Sequence, residues 1–327
     1  MAGRFVKPVN VLSAGLKYLK STVTGKPSVS GMPVSISAEL TNHCNLNCPE
    51  CHSGSGSGLM KRKRGFMDVA LFDKVVTELK PWLYNINLYF QGEPMLHPQF
   101  FLFLKKSHGI RTVVSTNGHF LSLENSEKLV KSGLRKLIIS LDGMEQAAYS
   151  SYRINGDLNS VMDGIRNVAK ARERYSSKLD LRIQFLVNRY NEHQIPEAKI
   201  FSRGMKASLK LKSMQIINKE AAGSWLPSKP EFRRYEKKNG EYVIKNSLPN
   251  RCARLWFNPV ITWDGKVLPC CFDKNADHVM GDLNEYSFSD IWAGPKYDIF
   301  RKNVLSERYA IEICRNCTSG LYWGIKY

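Results

Sequence analysis

The chain has 327 residues, of which 43% are hydrophobic, and it carries a formal net charge of +19 and eight cysteines. That length suits one barrel-sized domain with a smaller module, and no apolar run approaches a membrane span. With no secretory signal ahead of them, the cysteines point to the cytoplasm and to metal rather than to a disulfide framework.

In chain order, the first 20 or so residues form an amphipathic pattern, with Val9, Leu12, Leu16 and Leu19 on one side and Lys17 and Lys20 on the other. Packing of this helix against the folded body is expected, with peripheral contact to a membrane surface as the alternative. Residues 1–33 read as an extension. From 34 to 218, strand and helix patterns alternate. Strands are expected at 34–40, 85–90, 111–115, 136–141, 180–187 and 209–217. Between them the periodicity predicts helices: one through Phe72, Val75, Val76 and Leu79 that Pro81 stops, then 98–109, 122–132, 159–175 and 192–205. The run Leu137-Ile138-Ile139 suits a strand buried on both faces. These six β-α repeats predict an α/β fold, a partial (β/α)6 parallel barrel. The stretch 219–250, with Pro227, Pro230 and Pro249, reads as a linker, and 251–327 as a small cysteine-rich module. Basic residues cluster at Lys61–Arg64 and at Arg233-Arg234 with Lys237-Lys238. No RNA- or DNA-binding module accompanies them, so this charge reads as solvated surface and nucleic acid is not an expected partner.

Cys44, Cys48 and Cys51 lie within eight residues, directly after the first strand. Thiolates are soft ligands for zinc or iron–sulfur clusters. A four-iron cluster takes four ligands, so a loop supplying three leaves one iron open to a small molecule. Zinc is the rival, with His43 or His52 as a fourth ligand, although zinc sites usually pair two short-spaced couples. His97 and His119 lie near the other clusters, where a packed or solvated role is the commoner fate. Three further polar clusters end strands: Gln91-Gly92-Glu93-Pro94, Ser115-Thr116-Asn117-Gly118 and Ser140-Leu141-Asp142-Gly143. All fall on the carboxyl face, where such barrels carry chemistry.

Taken together, these residues resemble the radical S-adenosylmethionine (SAM) superfamily over nearly the whole chain after residue 33. The resemblance implies that Cys44, Cys48 and Cys51 hold a [4Fe–4S] cluster whose open iron is chelated by SAM. Gln91, Gly92, Glu93 and Pro94 resemble the segment that binds the SAM amino group, an acceptor suited to an ammonium. Ser115, Asn117, Ser140 and Asp142 resemble segments that contact the ribose and the methionyl carboxylate. Arg153, in Tyr149-Ser150-Ser151-Tyr152-Arg153 leading to Gly156, resembles an arginine that pairs with that carboxylate. Two residues depart from the pattern: Glu50 replaces an aromatic residue that helps seat the adenine, and Gln91 replaces a glycine.

Cys252, Cys270, Cys314 and Cys317 form a second set, which by spacing alone suits zinc or iron–sulfur equally. The segments 263–270 and 281–292 resemble the SPASM or shorter twitch extension, which carries auxiliary clusters. The tail has five cysteines where a complete SPASM has about seven, so one auxiliary [4Fe–4S] cluster is expected. Cys271 is left over, as a structural thiol or a swapped ligand.

The function implied is reductive cleavage of SAM to a 5′-deoxyadenosyl radical and hydrogen-atom abstraction from a substrate. Oxidation of a small polar molecule is favoured, with the auxiliary cluster as electron acceptor; modification of a peptide or protein side chain is the alternative. An external one-electron reductant such as flavodoxin or ferredoxin is the implied partner. The rivals from another class are an iron–sulfur electron-transfer protein and a zinc-stabilised binding protein. No general base is assigned: Asp264, Asp273 and His278 are candidates by position, with turn or surface roles expected for each.

Overall fold

Residues 6–54, 56–245 and 248–317 are described by the computed structural model. Helix α1 (Val6–Thr24) precedes β1 (Ser35–Ala38). Strand and helix then alternate through α2 (Val69–Leu79), β2 (Asn85–Asn87), α3 (Phe100–Lys106), β3 (Arg111–Thr116), α4 (Leu123–Lys131) and β4 (Lys136–Ser140). Helices α5 (Gln146–Tyr152) and α6 (Leu158–Arg174), β5 (Asp180–Val187), α7 (Ile195–Gly204) and β6 (Ser208–Ser213) complete the series. Strands β1 to β6 are neighbours in sequence order, and every pair is parallel. The partial parallel barrel read from the sequence is the observed architecture.

Alternation along the strands explains why it curls. In β5 the odd positions Leu181, Ile183, Phe185 and Val187 are buried while the even ones stay half-buried. The apolar half packs under the helices and the polar half lines the inner face. Asp68, Ser122 and Asp157 cap α2, α4 and α6 by accepting hydrogen bonds from the first-turn amides, which satisfies donors that the helix itself leaves orphaned.

Past the barrel come α8 (Ala222–Trp225), β7 (Tyr235–Lys238), β8 (Glu241–Ile244), α9 (Arg254–Phe257), β9 (Val260–Ile261), β10 (Lys266–Leu268) and β11 (Gly281–Asp282). Helices α10 (Phe288–Ala293), α11 (Pro295–Glu307) and α12 (Glu312–Arg315) follow. Strand β9 lies parallel to β1, with Ser37 opposite Val260. Strands β10 and β11 add antiparallel, so barrel and tail share one nine-stranded sheet.

Three expectations need correction. Helix α1 does pack on the body, but through Asn10, Ala14 and Ser21, while Val9, Leu12, Leu16 and Leu19 face outward. The reason is specific bonding: Asn10 donates to the Met32 carbonyl and accepts from its amide. The basic runs are not simply solvated. Arg62 is clamped on buried Glu39 at 2.8 and 2.6 Å, Arg64 donates to the Asn42 and Ser53 carbonyls, and Arg234 is buried. The stretch read as a linker contains the β7–β8 hairpin, and its Ala222, Leu226 and Tyr235 pack with Leu46 and Cys48 of the cysteine loop.

Removing one partner of a buried ion pair leaves the other charge uncompensated. Arg62→Ala is therefore expected to cost about 3 kcal/mol in denaturant-unfolding free energy, with Arg62→Lys recovering part of it. Unfolding midpoints equal to wild type for Arg62→Ala would show that Glu39 needs no counter-charge.

Candidate active site

The loop after β1 has no regular secondary structure, so its shape comes from what holds it. The Thr41 hydroxyl donates to the Gly65 carbonyl at 2.7 Å, and the Asn47 amide donates to the Ile154 carbonyl at 3.0 Å. Glu50 is buried and accepts from the amides of Ile217 and Asn218 at 2.6 and 3.2 Å. The residue that breaks the expected aromatic pattern thus ties the loop to the chain leaving β6. Beneath the loop, Leu46, Tyr152, Met214, Ile216 and Leu226 form an apolar floor with the thiols of Cys44, Cys48 and Cys51. All eight cysteines are free thiols. Cys48 lies in the electrostatic field of both Cys44 and Cys51, and burial pushes its pKa up to about 12; Cys44 rises to about 11 for the same reason. Buried thiols of this kind become strong ligands only when a metal displaces the proton.

The segment after β2 approaches this loop backbone to backbone. Gly92 has φ +73°, and a Cβ there would stand 2.5 Å from the Thr41 carbonyl oxygen and 2.6 Å from that of His43. Only glycine fits both demands. The Glu93 amide then donates to the His43 carbonyl at 2.8 Å. Gln91 accepts from Ser53 Oγ at 2.9 Å, and the Gly92 amide donates to that same oxygen at 2.7 Å. Pro94 opens a short 3₁₀ turn capped by Glu93.

Glu93 sits at the centre. Its carboxylate accepts from Thr116 Oγ1 at 2.8 Å, the Asn117 amide at 2.7 Å and the Met95 amide at 3.1 Å. Burial nevertheless pushes its pKa up to about 7, because none of these donors carries full charge. Asn117 Nδ2 donates to Asn45 Oδ1 at 2.7 Å and faces Cys44 Sγ at 3.9 Å. Ser115 is half-buried at the end of β3 and Ser140 buried at the end of β4. Asp142 grips Arg153 through Nε and Nη2, both at 2.6 Å, and accepts from the Leu186 amide at 2.7 Å. Arg153 Nη1 points at Cys48 Sγ, 3.8 Å away. The arginine expected to meet a ligand carboxylate is thus held first by Asp142, with its remaining donor beside a thiol.

The histidines are occupied elsewhere. His43 stacks on Phe66, and His97 bonds the Met67 carbonyl and the Gln99 amide. His119 bridges Asn117 and the Asp157 amide, while burial pushes the pKa of half-buried His52 down to about 4. Asp273 accepts from the Asp277 and His278 amides, Asp264 accepts from Thr262, and His278 packs on Phe300. These are turn and packing roles.

Cys252, Cys314 and Cys317 surround buried Arg308, whose Nη2 faces Cys317 Sγ at 3.6 Å. Cys270 lies in the field of Cys252 and Cys317. Cys271 lies in the field of Cys270 and borders Arg254 together with the other tail thiols, and Tyr89 and Lys212 also fall within its range. Arg308 and Arg254, which borders the same thiols, were invisible to motif reading because nothing in spacing marks an arginine as a cluster neighbour. Among the described residues, no three His, Cys, Asp or Glu side chains converge as ligands of one metal ion. Both sets fit an iron–sulfur cluster on donor chemistry. Each offers shielded thiols beside a guanidinium, Arg153 or Arg308, the counter-charge that an anionic thiolate-ligated centre calls for. At the first set, Glu93 is a buried carboxylate with no ion pair among the described residues, which suits the ammonium of an amino acid.

Comparison with known proteins agrees. Residues 38–180 match the radical SAM superfamily, and residues 252–318 match SPASM, an iron–sulfur cluster-binding domain. A tungsten-containing aldehyde ferredoxin oxidoreductase cofactor-modifying protein of Pyrococcus furiosus is 25% identical, with 86% of each chain covered. The S-adenosyl-L-methionine-dependent 2-deoxy-scyllo-inosamine dehydrogenase of Niallia circulans is 27% identical over 87% of this chain and 92% of its own. In fold, the chain resembles SuiB of Streptococcus suis bound to precursor peptide SuiA, with a TM-score of 0.63 and 15% identity over 96% and 77% of the two chains. The protein belongs to the radical SAM superfamily and is a radical SAM enzyme. Its cofactors are a SAM-binding [4Fe–4S] cluster and SAM, with further iron–sulfur binding in the SPASM region.

A carboxyl group whose pKa is raised on folding favours the folded state in acid. That contribution is lost as pH rises from about 4.5 through about 7. Cofactor-free wild type should therefore lose on the order of 3 kcal/mol relative to Glu93→Gln between about pH 4.5 and 8. Urea unfolding at the two ends of that range measures it, and parallel pH profiles would refute the assignment.

Proposed function

We propose that this enzyme oxidises a small polar molecule held at the barrel mouth. In this reading Cys44, Cys48 and Cys51 hold the first cluster. Gln91, Gly92, Glu93, Pro94, Ser115, Asn117, Ser140, Asp142 and Arg153 form the SAM pocket. Cys252, Cys270, Cys314 and Cys317 hold one auxiliary [4Fe–4S] cluster. When bound, the first cluster and SAM supply a 5′-deoxyadenosyl radical, and the second cluster supplies an electron acceptor. The chain's own residues position and enclose. Glu93 offers its carboxylate to the ammonium, Arg153 keeps positive charge beside Cys48, and the apolar floor under the loop excludes water.

The pairing of β9 with β1 carries the reading. It fixes the tail's thiols to the strand that bears the cysteine loop, so substrate, SAM and electron acceptor share one rigid frame. Residues 34–218 would act as the catalytic barrel, 219–250 as the connection and 251–327 as the auxiliary module, with 1–33 as an extension. A cytoplasmic flavodoxin or ferredoxin would supply the electron. Among the described residues, no helix is long and apolar enough to cross a membrane. Peptide modification is the second reading. It is favoured by a cavity of about 540 Å³ beside α12, lined by Tyr235, Tyr242, Tyr309 and Arg315.

Anaerobically reconstituted enzyme with dithionite should release 5′-deoxyadenosine. The Cys44→Ala, Cys48→Ala, Cys51→Ala variant should lose that product by about 100-fold or more while keeping the tail cluster's electron paramagnetic resonance signal. Absence of the product from wild type would sink the enzymatic reading. Zinc rather than iron in the tail after anaerobic isolation would remove the electron acceptor from the proposal.

A further inference from the structure

Tyr89, Lys212, Arg254 and Cys271 take no part in the SAM pocket described above, yet they meet between the two cysteine sets. Leu211 pairs with Phe185 and Lys212 with Leu186. Leu211 and Phe185 are buried in the apolar core, so Lys212 stands on the opposite, inner face of β6. Arg182 lies on the same face of β5 and donates to Ser208 at 3.3 Å. Lys212 is solvent-exposed, but it is surrounded electrostatically by Cys271, Lys274, Arg254 and Asp142. Tyr89 lies in range of Cys271, Arg254 and Arg182.

The carboxylates nearby are already committed. Asp142 is held by Arg153 and Glu39 by Arg62, while Asp273 accepts from two backbone amides. Among the described residues, Lys212, Arg254 and Lys274 form no ion pair, whereas Arg182 has Asp180 at 3.9 Å. Arg254 also borders the tail thiols, but cations with no carboxylate partner repel a protonated amine and attract an oxyanion. We infer that Lys212 and Arg254 form an oxyanion subsite that binds a phosphate or carboxylate group on the substrate. This deepens the proposed function and rests on it, since it places the substrate between the SAM pocket and the tail thiols.

The test uses full-length enzyme with its clusters and SAM bound, titrated calorimetrically with inorganic phosphate and with acetate. Saturable binding of phosphate or acetate is expected, weakened about tenfold in Lys212→Gln and restored within a few-fold by Lys212→Arg. Lys170→Gln, on the outer surface of α6, controls for net charge and should bind as wild type does. Unchanged iron–sulfur absorbance in Lys212→Gln shows that the variant is folded. No saturable binding to wild type, or equal binding by Lys212→Gln, overturns the subsite. Release of 5′-deoxyadenosine by wild type, measured alongside, reports the proposed function separately: product without anion binding defeats the subsite alone.

The outer face of α1 supports an independent inference. Val9, Leu12, Leu16, Leu19 and Val23 are 61, 65, 58, 58 and 84% exposed, and their spacing places them in one stripe. The helix cannot roll this stripe inward. Its other face is fastened by the Asn10 bonds to Met32, by Ser21 accepting from the Ser28 amide at 2.8 Å, and by Tyr18 against Trp256 and Phe257. Lys20 and Lys26 are exposed in this region, and the first acidic residue of the chain is Glu39. We propose that α1 lies on an anionic lipid surface, its apolar stripe in the headgroup boundary and the exposed Lys20 and Lys26 against lipid phosphates.

Co-sedimentation with phosphatidylglycerol vesicles should capture the enzyme, and phosphatidylcholine vesicles should not. Leu12→Gln with Leu16→Gln should weaken capture at least tenfold. No capture by phosphatidylglycerol, or equal capture of the double variant, overturns the proposal. So does a wild-type dimer that becomes monomeric in the double variant, since a second copy would then cover the stripe.

Discussion

The mouth of the barrel depends on a loop that cannot shape itself. Residues 41–54 contain no helix or strand to define them, so three thiols stay together only because neighbours pin the backbone between them. Gly92 supplies the closest of these contacts, its missing Cβ letting the Gln91–Pro94 segment lie against the Thr41 and His43 carbonyls. Glu50 fastens the opposite side to the chain beyond β6. Since β2 and β6 both hold the loop, the thiol geometry inherits the rigidity of the sheet rather than the freedom of a turn.

Electrostatics then give each pocket its character. Arg153, already paired with Asp142, stands beside Cys48, and buried Arg308 lies among the tail thiols. Free thiols, with pKa values driven up by burial, are poor partners; thiolates on iron are good ones. Glu93 shows the mirror image, a buried acid surrounded by neutral donors and awaiting a cation. Among the described residues, Lys212 and the neighbouring Arg254 and Lys274, between these pockets, form no ion pair with a carboxylate. Charge is thus divided into three adjoining regions, each suited to a different group.

Continuity of the sheet links these regions. Had the tail been a separate module on a tether, the distance between the two sets of thiols would fluctuate with the tether. Hydrogen bonds between β9 and β1 instead make it a property of a single sheet. The β7–β8 stretch contributes from the other side, because Ala222, Leu226 and Tyr235 complete the floor under the cysteine loop.

Periodicity by itself determined the parallel barrel, and motif position determined that the first cysteine loop and the polar clusters fall on its carboxyl face. These are local signals: strand alternation, helix caps and thiols separated by two or three residues act over distances that the chain itself sets. Only the tertiary structure decided that α1 turns its leucines outward, that Glu50, Arg62 and Arg64 are internal fasteners, and that Arg254 and Arg308 stand beside the tail thiols. It also decided that Cys271 borders Tyr89 and Lys212 as well as Cys270 and Arg254. Each of those outcomes depends on a partner from another element, up to some 200 positions away in sequence as for Arg62 and the Lys274 carbonyl. No pattern read along the chain encodes which buried charge will meet which partner, because that choice is made by packing.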